Sequence, residues 1–172
     1  DNSMEHTILK LPKLQFAKNV KNYYPEILTD SALEFLKVLH EHFNPKRLEL
    51  LQKRKEAQKT YDSGTFPQFP KETKHIRDGE WTAANIPQDL QDRRVEITGP
   101  ANRKMIINAL NSGAKTFMAD LEDSSAPTWA NTIEGQQHLK DANTKTISLY
   151  DSKKEKSYTL NDTTSVLLVR PR

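Results

Sequence analysis

The sequence contains no cysteine among its 172 residues. This absence excludes disulfide bonds, thiolate zinc sites and a cysteine nucleophile, and it fits a reducing compartment. Long apolar runs are missing too, because no stretch approaches the roughly 18 residues that a membrane-spanning helix requires. The opening residues, DNSMEHTILKLPKL, lack the apolar centre of a secretory signal peptide. We therefore expect no export and no membrane partner, and we predict a cytoplasmic location.

Charged residues of one sign do not form a large cluster in any part of the chain. The formal net charge is +3 and the isoelectric point is near 9.0, but the lysines are scattered among acidic residues. The densest basic run, residues 53–55, shares its predicted helix with Glu49 and Glu56, so we interpret it as a solvated helix face. No glycine-rich phosphate loop of either standard spacing occurs. We expect no nucleic-acid partner.

Residues 1–91 predict a helical domain that opens with an irregular segment at 1–28 and is followed by a long connector. A helix is predicted from about residue 30, with Ser31 and Glu34 at the spacing of a capping box. Pro45 is expected to end this helix and to begin a second one, so that the two form a helical hairpin. The connector, residues 60–91, is rich in proline and has few apolar repeats. Five apolar side chains are expected to dock it: Phe66, Phe69, Ile76, Trp81 and Ile86.

From residue 92 onward, short apolar strands alternate with helices. The predicted strands are 95–98, 116–119 and 165–169, and the predicted helices between them are 102–112 and 128–142. Before the last strand, two further short strands flank a polar turn as a β-hairpin does. Strand, helix, strand, helix, strand predicts a parallel α/β sheet, because parallel strands need helical crossovers.

The last predicted strand, VLLV, indicates whether the second domain is complete within this sequence. Three strands of about four residues cannot close a barrel that needs eight. An edge strand at the chain end is the simpler alternative, but four consecutive apolar residues suit a central strand better. We therefore expect the sequence to stop in the middle of a domain. Our predicted division is a helical domain and connector at 1–91 and the start of a second domain at 92–172.

Three carboxylates follow the second predicted strand within four residues: Asp120, Glu122 and Asp123. The carboxyl ends of parallel strands are where α/β folds keep their sites. If the strand continues to Glu122, Asp120 and Glu122 share one side of it and could bind Mg²⁺ or orient its waters. The equally weighted alternative is a capping cluster, in which Asp123, Ser124 or Ser125 opens the next helix.

Arg170 follows VLLV directly and so also lies at the carboxyl end of a strand. A guanidinium in that position could polarise a carbonyl or hold a carboxylate. From position alone, a surface arginine is the favoured interpretation. Arg93 and Arg94 precede the first strand, at the opposite end, and there we expect a structural ion pair. His138 falls in the second helix and is interpreted as a partly exposed packing residue.

Longer segments of the chain resemble the A-type malate synthases. The signature of that family is matched by GEWTAANIPQDLQDRRVEITGPANRKMIINALNSG at residues 79–113, and the match continues through AKTFMADLEDSSAPTWANTIEGQQHLKDA. VLLVRPR matches the segment that follows, and the similarity covers roughly residues 30–172. The blocks RRVEITGP and MADLEDSSAPTW are its most specific parts.

This resemblance implies a helical amino-terminal domain packed on a (β/α)₈ TIM barrel, of which residues 92–172 supply the first three strands. It implies condensation of acetyl-CoA with glyoxylate and water to give malate and CoA, in the glyoxylate cycle, with Mg²⁺ as cofactor. Glyoxylate and acetyl-CoA are then the small-molecule partners, and the oligomeric state stays open. A peroxisomal or glyoxysomal address also stays open, because it would lie at a carboxyl terminus beyond this sequence.

The resemblance also assigns roles to particular residues. Arg170 matches the family's catalytic arginine, which stabilises the enolate and contacts glyoxylate. Asp120, Glu122 and Asp123 match an acidic loop that holds metal-bound waters, and Asp123 and Ser124 are also expected to form a wall of the acetyl-CoA pocket. The direct metal ligands and the catalytic base match positions beyond Arg172. We therefore expect residues 1–172 to be inactive alone.

Two other functions are alternatives to this one. Citrate-lyase β subunits also use Mg²⁺ and acyl-CoA, but they lack the helical region before the first strand and do not begin that strand with RRVEITGP. A self-contained α/β binding module without catalysis is the second alternative.

Overall fold

A computed structural model describes residues 14–17 and 24–172. The residues divide into two compact units, one containing Leu28–Asp78 and the other containing Tyr24–Ile27 and Gly79–Arg172. The predicted irregular segment 1–28 lies largely outside the described residues. The predicted boundary after residue 91 stays a prediction. Among the described residues, no helix has both the length and the apolar character that crossing a membrane requires.

The first unit is dominated by one long helix, α1, at Asp30–Asp62. Thr29 caps it, since the Thr29 hydroxyl oxygen accepts a hydrogen bond from the Ala32 N–H at 3.1 Å. The predicted helical hairpin is wrong, because Pro45 lies inside α1. A proline removes one backbone hydrogen bond but does not have to end a helix. Residues 46–62 contain no glycine or further proline and are mostly strong helix formers, so the helix continues.

Local hydrogen bonds, not apolar docking, order the start of the connector. It contains two 3₁₀ turns, at Lys71–Thr73 and Gln88–Leu90, and the short helix α2 at Lys74–Arg77. Phe66 and Phe69 are 70% and 82% exposed, so the prediction that they anchor the connector is wrong. The Arg77 guanidinium lies 5.2 Å from the Phe69 ring centre and donates to the Pro70 carbonyl at 2.9 Å.

The second unit confirms the predicted parallel α/β sheet. Strands β1 (Glu96–Pro100), β2 (Thr116–Asp120) and β5 (Val166–Arg170) lie in the order β1-β2-β5, all parallel. Helix α3 (Arg103–Leu110) connects β1 to β2, and α4 (Trp129–Asn143) follows β2. The predicted hairpin is also confirmed, as β3 (Ser148–Asp151) and β4 (Lys156–Thr159).

The core of this unit lies between the sheet and α3. Phe117 and Ala119 of β2 and Ile106 and Ile107 of α3 have no exposed surface. β2 is the middle strand and is buried on both faces, as expected of a parallel strand between two neighbours. β5 is an edge strand of this three-stranded sheet, and VLLV is only partly covered. Hence the carboxyl ends of β1, β2 and β5 lie side by side at one end of the sheet.

An ion pair between α3 and α4 makes the unit sensitive to acid. Arg103 bonds the Asp141 carboxylate, and the pair lowers the pKa of Asp141 below its ordinary value although burial opposes this. A lowered pKa stabilises the fold above about pH 3.8, the ordinary value, and that contribution is lost as pH falls through the folded pKa. We expect the thermal midpoint of the Asp141→Asn variant to fall less between pH 5 and pH 3 than that of the unmodified protein. Equal losses would contradict this account.

Val95, just before β1, has a left-handed backbone with φ of 63°. This conformation turns its carbonyl toward the start of β2, where it accepts from the Lys115 N–H at 3.2 Å. A β-branched side chain is strained there, and the left-handed region costs a non-glycine residue about 1–2 kcal/mol. Asparagine tolerates it better, so Val95→Asn is expected to stabilise the protein by about 1 kcal/mol, read as a higher thermal midpoint. The same substitution at Val169, exposed on β5 with extended backbone, is the control and is expected to destabilise.

Candidate active site

The candidate site forms where β2 and β5 end. Asp120 and Arg170 are the last residues of their strands and are register partners across the sheet. The Leu121 N–H donates to the Arg170 carbonyl at 3.0 Å, which extends the strand pairing by one bond. The parallel register therefore places a carboxylate and a guanidinium side by side at the sheet edge that the sequence predicted.

Asp120 is the anchor of the following loop. Its side chain is 1% exposed, and its Oδ1 atom accepts from the N–H groups of Glu122 at 2.8 Å and Asp123 at 3.2 Å. Oδ2 accepts from the Ser124 hydroxyl at 3.0 Å. Burial alone would raise the pKa of the Asp120 carboxyl, but these donors and the Arg170 charge outweigh it, so the pKa lies below its ordinary value. Asp120 is therefore held ionised.

These contacts are those of a cap, although not the cap that the sequence indicated. The capping alternative placed Asp123, Ser124 or Ser125 at the start of the next helix. Instead, Asp120 closes the turn after β2, and α4 begins later, at Trp129, capped by the Thr128 hydroxyl. The strand also ends at Asp120. Glu122 therefore lies in the turn after β2, and the predicted alternation along the strand is not what places it beside Asp120.

The Arg170 guanidinium forms ion pairs with all three carboxylates. Its Nη1 atom lies 3.5 Å from Asp120 Oδ2, and its Nη2 atom lies 2.6 Å from Glu122 Oε2 and 3.1 Å from Asp123 Oδ2. The Arg170 side chain remains 39% exposed, so it is both held and reachable by a ligand. Three carboxylates against one guanidinium leave the group with excess negative charge, which favours a further cation nearby.

The described residues do not form a direct metal-binding set. In the described part of the chain, no three or more histidine, aspartate or glutamate side chains are placed to hold one metal ion. Both oxygens of Asp120 already accept hydrogen bonds, and Glu122 and Asp123 share Arg170. Direct chelation of Mg²⁺ by these three residues does not fit this geometry. Their predicted role toward metal-bound waters stays a prediction.

A cleft of about 310 Å³ opens beside the site. Ser124 and Ser125 of the loop after β2 form one wall. The other walls are the end of β1 and helix α4, with these residues: Pro100, Ala101, Asn102, Asn131, Glu134, Gly135 and His138. Ser124, predicted for a pocket wall, lies in this cleft. Asp123, predicted with it, does not line the cleft and contacts Arg170 instead.

Sequence reasoning missed two polar groups of the cleft, Glu134 and His138. His138 is partly exposed, as the sequence indicated, and it also lines the cleft, where its Nδ1 atom lies 2.9 Å from the Ala101 carbonyl oxygen. Glu134 accepts from the Tyr24 hydroxyl at 2.6 Å across 110 sequence positions. Helical spacing alone could have found them, because residues 131, 134, 135 and 138 lie on one face of α4. Arg94 behaves as predicted, forming an ion pair with Asp92 at 2.8 Å.

Fold and site together define a class of protein. It is an α/β protein with a polar cluster and a cleft at the carboxyl ends of parallel strands, where such folds bind their ligands.

Comparison with known proteins shows a similarity to the malate synthases. The family model for the malate synthase N-terminal domain matches residues 12–75. Malate synthase of Myxococcus xanthus is 54% identical over 149 residues, which are 87% of this chain and 27% of that protein. Glyoxysomal malate synthase of Glycine max is 50% identical over 149 residues, 87% of this chain and 26% of that protein. The bifunctional glyoxylate cycle protein of Caenorhabditis elegans is 51% identical over 172 residues, 99% of this chain and 17% of that protein. The chain is therefore similar to the malate synthases over most of its own length, and it spans about a quarter or less of the length of these relatives.

Proposed function

We propose that the full-length protein condenses acetyl-CoA with glyoxylate and water, giving malate and CoA. The single observation that carries the proposal is Arg170, a reachable guanidinium held by three carboxylates at the edge of a parallel sheet. Identity of about 50% to proteins named malate synthase supports it. The reaction belongs to the glyoxylate cycle. The enzyme is then an acyltransferase that uses two small-molecule substrates.

In this proposal the second unit is the start of a (β/α)₈ barrel. Strands β1, β2 and β5 would be its first three strands, with α3 and α4 as the helices between them. Their parallel order and their common register at the carboxyl end support this arrangement. A helical domain and connector at 1–91 would precede a barrel that begins at residue 92.

Arg170 would act on developing negative charge. A carboxylate base, which we place beyond residue 172, removes a proton from the acetyl methyl group, and charge builds on the thioester oxygen. The Arg170 guanidinium donates hydrogen bonds to that oxygen and to glyoxylate. The enolate carbon then bonds the aldehyde carbon of glyoxylate, the C=O π bond opens onto the aldehyde oxygen, and that oxygen takes up a proton. Water then adds to the thioester carbonyl, and CoA leaves as the free thiol. The carboxylates around Arg170 fix the guanidinium plane before substrate arrives.

Mg²⁺ is part of the proposal only as a supporting group. When bound, it would polarise the aldehyde of glyoxylate as a Lewis acid. The excess negative charge beside Arg170 supports a cation there, and exposed oxygens of Glu122 could accept from its waters. Asp120 would act through the loop that it caps. The direct ligands would lie beyond Arg172, so residues 1–172 alone would be inactive.

The cellular location of the protein is also a proposal, and it is based on the names of the relatives. Several of them are named glyoxysomal, which supports a glyoxysome or peroxisome beside the cytoplasm.

The test is release of free thiol from acetyl-CoA by the full-length protein with Mg²⁺, with and without glyoxylate. Glyoxylate-dependent release that yields malate is the expected result. Cleavage of an acyl-CoA that does not require glyoxylate would favour a lyase resembling the citrate-lyase β subunits. No reaction from a folded, Mg²⁺-loaded protein would leave a binding module as the better account.

A further inference from the structure

An amino-terminal segment, Tyr24–Ile27, packs on α4 beside the cleft. It belongs to the same compact unit as the sheet, although it comes more than fifty residues earlier than the rest of that unit. The Tyr24 hydroxyl donates to Glu134 Oε1 at 2.6 Å, and Glu26 Oε2 lies 3.6 Å from Lys140 Nζ. Two consecutive turns of α4 are therefore held by this segment.

The cleft wall presents mainly hydrogen-bond acceptors. Ser124 and Ser125 donate their hydroxyl hydrogens to the Asp120 side chain and carbonyl, which leaves oxygen lone pairs on the wall. Asn131 donates through its Nδ2 atom to the Ala126 carbonyl at 3.1 Å, so its Oδ1 atom remains an acceptor. One carboxylate oxygen of Glu134, Oε1, accepts the hydrogen bond from Tyr24, and the other oxygen, Oε2, remains available as an acceptor. Such a wall fits a ligand that offers N–H groups.

We propose that Tyr24 is a positioning residue for the acyl-thioester substrate. Its hydroxyl fixes Glu134 in the cleft wall, so that the second carboxylate oxygen accepts a hydrogen bond from an amide N–H of the pantetheine arm of acetyl-CoA. The inference rests on the proposed malate synthase function and deepens it. Tyr24 acts through Glu134, so its effect falls on acetyl-CoA binding and not on the chemistry at Arg170.

Tyr24→Phe in the full-length protein tests this proposal, because it removes only the hydroxyl. Loss of one hydrogen bond that acts on the substrate only through Glu134 predicts a KM for acetyl-CoA that is about five- to tenfold higher. The kcat and the KM for glyoxylate should stay within about twofold, since binding of the thioester alone is weakened. Tyr150→Phe, at an exposed tyrosine of β3, is the matched control and should change none of the three.

A double-mutant cycle separates positioning from general damage. Glu134→Ala alone should raise the KM for acetyl-CoA, and adding Tyr24→Phe to it should produce little further change, because both act through one contact. If Tyr24→Phe does not fold, Glu134→Ala alone decides the matter. A higher KM for acetyl-CoA with unchanged kcat in that variant supports the role of Glu134 in the cleft wall, and an unchanged KM overturns the proposal. Equal shifts in all three parameters, or additive effects, would also overturn it. Failure of the parent protein to release thiol would instead sink the proposed function.

Discussion

Replacing Arg170 by lysine is expected to lower kcat for glyoxylate-dependent thiol release by about a hundredfold to a thousandfold. Lysine keeps the positive charge but has no planar fork, so it cannot bond Glu122 and Asp123 together while donating to a substrate oxygen. The loss should appear in kcat, since the hydrogen bond to the enolate exists only once charge has developed. Steady-state kinetics of the full-length protein would measure it.

The matched control for this prediction is Arg94→Lys. Arg94 also pairs with an aspartate next to a strand of the same sheet, but before β1, at the opposite end. Its replacement should leave kcat within about twofold, as exposed ion pairs contribute little. A kcat for Arg170→Lys that matches this control would remove Arg170 from the mechanism and return it to the surface-arginine interpretation.

Replacing Gly135 by valine is expected to destabilise the protein by about 2 kcal/mol and to deform the cleft. Helix α4 passes so close to the end of β1 that a Cβ atom at residue 135 would lie 2.9 Å from Leu121 Cδ2 and 3.1 Å from Ala101 Cβ. The Leu121 side chain can move, but Ala101 is fixed by the backbone of the cleft wall. We expect α4 to shift outward, which should lower the thermal midpoint and raise the KM for acetyl-CoA together.

Gln136→Val serves as the control, because it introduces the same side chain at the next, exposed position of α4. Its effect on stability should stay within about 0.5 kcal/mol. If Gly135→Val were as well tolerated as this control, the close approach of α4 to Ala101 would not constrain the site.

The sheet was predictable because each strand carries its own local signal. β2 and β5 are short apolar runs, and β1 is ended by glycine and proline, so periodicity and turn chemistry located all three within one or two residues. The α1 helix shows the limit of such signals. Proline is a strong local marker of a helix end, yet the helix-forming residues after Pro45 decided the outcome.

The site was predictable in position but not in contacts. Parallel topology alone brings the ends of β2 and β5 together, so Asp120 and Arg170 could be expected to meet. That Asp120 faces inward and caps a turn, while Glu122 and Asp123 bond Arg170, depends on loop geometry that no spacing rule gives. The bond from Tyr24 to Glu134 joins residues 110 positions apart and has no local signal.

The central claim is that the carboxylate-held guanidinium of Arg170 receives the substrate. A crystal structure of the full-length protein with glyoxylate and Mg²⁺ tests it most directly. The account predicts a glyoxylate oxygen at hydrogen-bond distance, about 3 Å, from the Arg170 guanidinium, with Glu122 and Asp123 still in contact with it. Glyoxylate bound elsewhere, with Arg170 bonded to the carboxylates alone, would contradict it.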